Sequence, residues 1–180
     1  MADQDLSGKH VAIIVNNFIE EAELVEPKKA LEACGATVDI IAPSSGSVQT
    51  VQSDVEMASK QPVSHTFDDV DLDVYDAMVV PGGTVNADHL RTVPEAREAI
   101  TTFLESGRPL AMICHAPWAL ISAGLATGKK LTSFFTLKDD LVNAGAQWLD
   151  EPVVIDDNLI TSRNPDDIPA FNKALIGMLA

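Results

Sequence analysis

The sequence predicts an α/β sandwich with a mostly parallel central sheet. Short apolar, β-branched runs alternate along the chain with segments of helical periodicity. Continuously apolar runs of this kind are typical of parallel strands buried on both faces. Glycine and proline separate the segments, and we find no linker, internal repeat or low-complexity stretch. We therefore expect residues 1–180 to form a single domain.

The first strand and the first helix are defined by an apolar run and by the residues that end it. The run VAIIV at 11–15 predicts a buried strand that ends at Asn16 and Asn17. Segment 20–33 has helical spacing, and Gly35 follows it as a stop signal. We expect the inner face of this helix to contain Ala22, Val25, Leu31 and Ala33.

The rest of the chain continues the alternation of strands and helices. A turn at 43–46 and a polar stretch to about residue 54 predict a short excursion from the sheet. Pro94 suits the first turn of a helix that Gly107 closes. The remaining predicted strands are 37–42, 76–80, 109–113, 131–134, 153–155 and 159–161, and the remaining predicted helices are 94–106, 116–123, 137–143 and 166–179.

The charge balance argues against anionic partners. The chain has 12 Lys and Arg residues against 27 Asp and Glu residues, which gives a formal net charge of −15. A surface this acidic repels phosphate backbones and anionic lipid headgroups, so we expect neither nucleic-acid nor membrane binding. The polar segment MADQDLSGKH and the shortness of every apolar run indicate a cytoplasmic protein. The charge also fits a salt-rich cytoplasm.

The residues that bind metals or nucleotides form no recognisable pattern. Cys34 and Cys114 lack metal-type spacing, and His10, His65 and His89 are scattered. Neither GxxxxGK[ST] nor GxGxxG occurs, so we expect no metal, nucleotide or other cofactor. Cys34 lies at the end of a predicted helix without a polar neighbour, and we expect it to be buried and inert.

Three predicted strands end in residues that can take part in chemistry. In a parallel sheet, ligands collect at the carboxyl ends of the strands. The ends here are Asn16–Asn17 with the acidic helix start, the Pro-Gly-Gly segment at 81–83, and Cys114. We expect all three to meet at one edge of the sheet.

Cys114 follows an apolar strand and precedes a proline that starts a helix. In MICHAPW, Pro117 makes the strand break sharply at Cys114, as in a nucleophile elbow. The N–H groups of the following helix would favour the thiolate and could hold an oxyanion. The alternative is an inert cysteine at the end of a buried strand. His115 either carries a proton for the thiol or only fills space.

The two neighbouring strand ends could assist Cys114. Gly82 and Gly83 allow close approach of the backbone, so an N–H group there could complete an oxyanion site, or the pair could simply form a tight turn. In EEAELVE, Glu20, Glu23 and Glu26 share one helix face, and one of them could point toward the strand ends. A carboxyl group buried beside a thiol would have a raised pKa and could donate a hydrogen bond to the sulfur. Spacing alone does not select among the three.

Four ordered segments carry a likeness to a known family. They are AMICHAPWALISAGLATGKKLTS, FIEEAELVEP, DAMVVPGGTVNADHLR and LKDDLVNAGAQWLDEPVVIDDNLITSRNPDDIPAF. In this order they resemble the cysteine segment, the acidic segment, the Gly-Gly strand end and the carboxy-terminal third of the PfpI-like branch of the DJ-1/PfpI superfamily. The resemblance spans nearly the whole chain. It implies a flavodoxin-like three-layer sandwich and a homodimer or larger homo-oligomer.

The resemblance also implies a role for each matching residue. Cys114 would be the reactive nucleophile, and Glu23 would hydrogen-bond to it. The backbone N–H groups of Gly83 and His115 would form the oxyanion site. An acidic residue of a neighbouring subunit would assist His115, and Asp88 matches that position.

Two residues depart from the family pattern. Asp88 stands where the archetypal PfpI-like peptidase has a glutamate. Its side chain is shorter, which works against the pairing with His115. Ala116 stands where glycine is usual, which would narrow the space above the sulfur. Neither departure removes the nucleophile.

The functions implied by the resemblance fall into three classes. The first is a cysteine hydrolase of the deglycase or glyoxalase type, which acts on small reactive carbonyls or their protein adducts in stress response. The second is an intracellular cysteine peptidase, which needs an acid for the leaving amine and therefore depends on His115 and Asp88. The third is a non-enzymatic redox sensor based on oxidation of Cys114. We favour the first class.

Overall fold

The computed structural model describes residues 4–180 of the chain. Its strands are β1 His10–Ile14, β2 Ile19–Glu20, β3 Thr37–Ala42, β4 Ser47–Gln52, β5 Glu56–Pro62, β6 His65–Thr66, β7 Ala77–Val80, β8 Leu110–Ile113, β9 Lys130–Leu131, β10 Gln147–Trp148, β11 Val153–Asp156 and β12 Leu159–Ser162. Its α-helices are α1 Glu21–Ala33, α2 Thr84–Leu90, α3 Pro94–Ser106, α4 Trp118–Ser122, α5 Lys138–Asn143 and α6 Ile168–Leu179. Short 3₁₀ turns lie at Leu72–Val74, Phe135–Leu137 and Pro165–Asp167. None of these helices is long and apolar enough to cross a bilayer.

A seven-stranded sheet forms the centre of the described structure. Its strand order is β11-β12-β8-β7-β1-β3-β6, and every neighbouring pair is parallel except β11 with β12. Ile13 of β1 pairs with Ile40 of β3 on one side and with Val79 of β7 on the other. The predicted α/β fold with a mostly parallel sheet is confirmed.

Helices cover both faces of this sheet, so the strands are buried on both sides. In β1, Val11 and Ile13 pack with α1 and α6, whereas Ala12 and Ile14 pack with α3, α4 and α5 on the opposite face. Phe103 of α3 belongs to the second of these clusters and is fully buried. Burial of each such large apolar side chain contributes roughly 1.5–3 kcal/mol. The three layers explain why the strands are apolar at consecutive positions.

The inner face of α1 differs from the prediction. Of the predicted inner residues, Leu31 is buried, Ala22 and Val25 are half-buried and Ala33 is exposed. The buried residues are Glu23, Leu24, Pro27 and Leu31. The prediction followed apolar side chains, but the helix turns a carboxyl group inward because the backbone N–H of Gly82 donates a hydrogen bond to it. Cys34, the C-cap residue, is half-buried rather than buried.

Two elements near Cys114 and residue 131 are shorter in the structure than predicted. The predicted helix 116–123 is shortened to α4, which follows a turn that includes His115 and Pro117. The predicted strand 131–134 is reduced to β9, which pairs with β10. The strand stops because the N–H of Thr132 donates to Thr161 Oγ1 and the N–H of Phe134 donates to the Cys114 carbonyl oxygen.

The predicted excursion after β3 is a long hairpin that the sequence did not resolve. Strands β4 and β5 pair antiparallel, and β2 joins β4 to make a second sheet of three strands. The tip of the hairpin contains Ser53 and Asp54, both in the left-handed region with φ of 53° and 64°. Helix α2, directly after Gly83, was also missed. Both elements border the carboxyl ends of the central strands.

Candidate functional site

The three predicted strand ends meet as expected, because β8, β7 and β1 are neighbours in the central sheet. Cys114 follows β8, the Gly-Gly pair follows β7, and α1 begins a few residues after β1. Glu23, Cys114 and His115 lie together there and are 0%, 6% and 5% exposed. A buried carboxyl group, a thiol and an imidazole therefore share one small region.

Cys114 occupies a strained backbone conformation at the end of β8. Its φ of 63° lies in the left-handed region, which costs an ordinary residue about 1–2 kcal/mol. Its N–H donates to the carbonyl oxygen of Ser162, and its carbonyl oxygen accepts from the N–H of Phe134. These bonds to two neighbouring segments hold the turn, which directs the side chain away from the strand ladder.

Glu23 presents a buried carboxyl group to the thiol. Its Oε2 accepts a hydrogen bond of 2.8 Å from the N–H of Gly82, whereas its Oε1 has no partner among the described residues. Burial raises the pKa of Glu23 to about 8, against the opposing effects of the Gly82 N–H and of Cys114. The carboxyl group is therefore protonated at neutral pH and holds a proton beside the sulfur.

The pKa of the Cys114 thiol is also shifted by its surroundings. Burial raises the pKa of this thiol, and the negative charge of ionised Glu23 raises it further, while the N–H groups of Gly83 and His115 oppose the shift. Because Glu23 ionises only near pH 8, its charge acts mainly above that pH. The sequence predicted backbone N–H groups that favour the thiolate, and they are present, but burial outweighs them. At neutral pH the thiol needs a base to remove its proton.

Both glycines are required by close backbone approach. A Cβ atom at Gly82 would lie 2.7 Å from Cys114 Cβ and 2.7 Å from Glu23 Oε2. A Cβ atom at Gly83, where φ is 85°, would lie 2.6 Å from the Phe18 carbonyl oxygen. The Gly-Gly pair is thus more than a tight turn, since it brings backbone N–H groups against both Glu23 and Cys114.

His115 contacts the thiol directly. Its Nδ1 lies 3.1 Å from Cys114 Sγ, and its Nε2 lies 3.3 Å from Thr84 Oγ1. Its ring stacks on Phe134 with 4.8 Å between the centroids. Burial lowers the pKa of His115, and the negative charge of Asp54 partly offsets this shift. The imidazole is therefore neutral at neutral pH and can accept a proton.

Asp88 does not lie at this site within one chain. It is exposed on α2, and its carboxylate pairs with Arg91 at 3.1 Å. Ala116 is 2% exposed and donates its N–H to the Ile113 carbonyl oxygen. Of the predicted site residues, the structure brings together Cys114, Glu23, Gly83 and His115, and leaves Asp88 outside.

A cavity of about 310 Å³ opens beside Cys114. Its described lining includes the carboxyl groups of Glu20, Glu23 and Asp54 and the ring of Phe134, with no Lys or Arg. A larger groove of about 580 Å³ lies between α1 and the hairpin and has no cysteine or histidine among its described lining residues. Within residues 4–180, no group of His, Cys, Asp and Glu side chains is arranged as a metal site.

Sequence reasoning missed two residues next to His115, namely Asp54 and Thr84. Asp54 lies at the tip of the hairpin and Thr84 begins α2, the two elements that the sequence did not resolve. A polar residue in QSDV carries no periodic signal, so only the folded hairpin brings this carboxylate to the site.

Comparison with known proteins supports the resemblance of the four segments. The model of the DJ-1/PfpI family matches residues 9–178. "Putative cysteine protease YraA" of Bacillus subtilis is 35% identical over 172 residues, which cover 96% of this chain and 99% of the relative. "General stress protein 18" of the same organism is 35% identical over 174 residues, or 96% and 98% of the two chains. "Deglycase PfpI" of Pyrococcus furiosus is 36% identical over 163 residues, or 91% and 95%.

A solved structure matches the same architecture. DJ-1beta of Drosophila melanogaster superposes with a TM-score of 0.87 at 28% identity, covering 96% of this chain and 91% of that chain. The predicted flavodoxin-like arrangement is therefore confirmed for the described residues.

Proposed function

Because the chain belongs to the DJ-1/PfpI family, we propose that it is a cysteine-dependent hydrolase that acts on reactive carbonyls or on their protein adducts. Cys114 is the nucleophile in this proposal, and Glu23, His115 and Gly83 assist it. Relatives named as a deglycase and as a general stress protein support this class of activity and its setting in stress response.

One observation carries the proposal, namely the surroundings of the Cys114 sulfur. A proton acceptor lies 3.1 Å away at His115 Nδ1. A buried and protonated carboxyl group lies beside the sulfur at Glu23, and two backbone N–H groups face it from Gly83 and His115. A base, an acid and oxyanion donors around one thiol are the groups that nucleophilic attack on a carbonyl needs.

The first chemical step follows from these positions. The proton of the thiol moves to His115 Nδ1, and the sulfur attacks the carbonyl carbon of the substrate. A C–S bond forms while the π electrons of the carbonyl move to its oxygen, where the N–H groups of Gly83 and His115 stabilise the developing negative charge. His115 or Glu23 then returns a proton to that oxygen, which gives a hemithioacetal on Cys114. With methylglyoxal, the C1 proton of this adduct moves to C2 through an enediol, so that C1 becomes a thioester and the ketone becomes an alcohol. Water then hydrolyses the thioester and releases lactate and the thiol.

The cavity favours a small substrate without negative charge. Its volume of about 310 Å³ is at the lower end of the range of ligand sites, roughly 300–1,000 Å³. The carboxylates of Glu20 and Asp54 in its lining would repel an anion. A neutral dicarbonyl such as methylglyoxal, or its adduct on an amine, meets both requirements.

A peptidase is the second candidate, and a relative with a protease name favours it. Peptide hydrolysis requires a proton for the leaving amine, which His115 would supply. In this candidate Asp88 of a second copy would support His115, so activity would depend on a homodimer or larger homo-oligomer. The exposure of Asp88 in the single chain leaves its carboxylate available for such a contact.

The test uses the two cysteines as a matched pair. Cys114→Ser should abolish the consumption of methylglyoxal and of glycated model amines, whereas Cys34→Ser should retain it, with both variants folded by circular dichroism. A panel of peptide substrates assayed in parallel separates the peptidase from the hydrolase of small carbonyls.

Two outcomes would contradict the proposed hydrolase. Full turnover by Cys114→Ser would exclude Cys114 as the nucleophile. Absence of turnover on every substrate, together with peroxide oxidation of Cys114 to the sulfenic or sulfinic acid, would favour the redox sensor.

A further inference from the structure

A carboxylate of the same chain reaches His115 through a hydroxyl group. Asp54 Oδ2 lies 3.0 Å from Thr84 Oγ1, and Thr84 Oγ1 lies 3.3 Å from His115 Nε2. The opposite ring nitrogen, Nδ1, lies 3.1 Å from Cys114 Sγ. Four side chains from the hairpin tip, from the start of α2 and from the turn after β8 thus form one continuous chain of polar contacts.

The hairpin tip is held in a strained conformation at this point. Ser53 and Asp54 both have positive φ, a region that aspartate tolerates but serine rarely adopts. Glu20 stabilises the tip by accepting hydrogen bonds from both backbone N–H groups at 3.2 Å. Asp54 Oδ1 in turn accepts from the N–H of Thr84 at 2.7 Å. Strain kept by several surrounding contacts is typical of functional positions.

The donors and acceptors in this chain fix the direction of each hydrogen bond. An ionised carboxylate only accepts, so the single hydroxyl proton of Thr84 points to Asp54. The oxygen of Thr84 can then only accept from Nε2, which must carry the ring proton of neutral His115. This leaves Nδ1 as an acceptor directed at the thiol.

We propose that Asp54 and Thr84 are positioning residues that hold His115 in its Nε2–H tautomer, so that Nδ1 accepts the proton of Cys114 within a single chain. This inference rests on the proposed role of Cys114 as nucleophile. After the proton transfer, the imidazolium keeps its Nε2–H bond to Thr84, and the carboxylate of Asp54 stabilises the new positive charge. The support for His115 then does not depend on Asp88 of a second copy.

A simpler role for Asp54 would be to cap α2 through the N–H of Thr84. Replacement of Thr84 by valine distinguishes the two roles, because valine keeps the backbone N–H and the shape but lacks the hydroxyl. Thr136 supplies a matched control, since its Oγ1 lies 3.5 Å from the same Nε2 and contacts no carboxylate among the described residues. The other groups around His115 are Cys114, the rings of Phe134 and Trp118, and the charge of Asp54.

The first measurement is the rate of iodoacetamide alkylation of Cys114 against pH, in a Cys34→Ser background. Thr84→Val and Asp54→Asn should each lower the plateau rate about tenfold, part of the roughly 10²–10⁴-fold effect of a positioned proton acceptor. Both changes destabilise the imidazolium, so the acid limb of the profile should move to lower pH. Thr84→Ser should restore the profile, and Thr136→Val should leave it unchanged.

The second measurement is the tautomer of His115, read from two-bond ¹H–¹⁵N couplings in the ring. The unmodified chain should show the Nε2–H tautomer near neutral pH. In Asp54→Asn the amide NH₂ can donate to Thr84 Oγ1, which no longer holds the ring proton on Nε2, so both tautomers should appear. These readouts do not require a substrate, so they remain decisive if no hydrolase activity is found.

The proposal is overturned by any of three results. They are an Nδ1–H tautomer in the unmodified chain, a Thr84→Val profile identical to that of the unmodified chain, and an equal effect of Thr136→Val. Should Thr84→Val fail to fold, Asp54→Asn carries both measurements, and an unchanged tautomer and acid limb in that variant would overturn the proposal as well.

Discussion

Glu23 has its carboxyl group in the protein interior, where the charged form is solvated less well than in water. The side chain is fully buried, and its pKa is raised to about 8, first by burial and then by the nearby carboxylates of Glu20 and Asp54. The Gly82 N–H is a partner for only one of its two oxygens. Glu23 can donate a proton to the sulfur of Cys114 only while its carboxyl group is protonated.

Glu23→Gln should change how stability depends on pH. A carboxyl group with a folded-state pKa above its unfolded value stabilises the fold fully below the unfolded pKa, near 4.5, and this contribution is lost as pH rises through about 8. From mildly acidic to mildly alkaline pH, the unmodified chain should therefore lose roughly 2–4 kcal/mol relative to Glu23→Gln. Urea unfolding of both proteins at the two pH values measures the difference.

The control for this measurement is Glu26→Gln on the same helix. Glu26 is exposed and pairs with Lys29 at 3.3 Å, so its replacement should change stability by less than about 0.5 kcal/mol at either pH. Parallel pH profiles for Glu23→Gln and the unmodified chain would show that Glu23 is ionised throughout and cannot protonate the sulfur.

The β4–β5 hairpin is the element that makes the observed site differ from the site predicted from the sequence. Its tip reaches the start of α2, where Asp54 binds both the N–H and the hydroxyl of Thr84. Burial in the strand sequence SVQTVQ alternates over the first four residues and then breaks, because Thr50 and Val51 are both buried. The tip also lacks the glycine or asparagine that signals a two-residue turn. The sequence therefore indicates only a short excursion there, because the tip is stabilised by tertiary contacts rather than by its own residues.

Ser53→Gly should stabilise the protein by relieving the backbone strain at this tip. Ser53 has φ of 53°, and glycine adopts this region without the cost of about 1–2 kcal/mol paid by other residues. After the larger backbone entropy of glycine in the unfolded chain is subtracted, we expect a gain of about 0.5–1 kcal/mol in the free energy of unfolding. Chemical denaturation measures the gain.

Ser47→Gly provides the comparison at an exposed position of the same hairpin. Ser47 begins β4 without a positive φ, so glycine there brings only its entropic cost and should lower stability. Equal effects of the two substitutions would mean that the tip is not strained.

At the scale of the whole molecule, the acidic surface acts on stability as well as on partner choice. A net charge of −15 produces self-repulsion that is larger in the compact state than in the unfolded chain. Salt screens this repulsion, and the range of the repulsion becomes shorter as the salt concentration rises. A chain of this composition should therefore be more stable in concentrated salt.

The melting temperature should rise as NaCl increases from about 0.02 M to about 0.5 M, where the Debye length becomes much shorter. A variant with Asp68→Asn and Asp73→Asn removes two exposed charges from one acidic loop and should show a smaller rise. A melting temperature that is independent of salt, or a rise that is equal in both proteins, would contradict the role of self-repulsion.

Local sequence determined the elements whose signals are continuous along the chain. Consecutive apolar residues in β1, β3, β7 and β8, and proline and glycine at the ends of α3, indicate strands and helices without reference to partners. The carboxyl ends of parallel strands share one sheet edge, so the meeting of Cys114, the Gly-Gly pair and the first acidic helix also followed from the sequence.

Only the tertiary structure decided which groups surround the sulfur and in what protonation state. The resemblance selects Glu23 from the acidic run without a physical reason. The structure supplies that reason, because the N–H of Gly82 donates a hydrogen bond to this carboxyl group. Asp54 is 60 residues from Cys114 in the chain, and it reaches His115 through Thr84 only because the hairpin folds over the strand ends. Burial and hydrogen bonding depend on distant segments, so no local pattern in the sequence contains them.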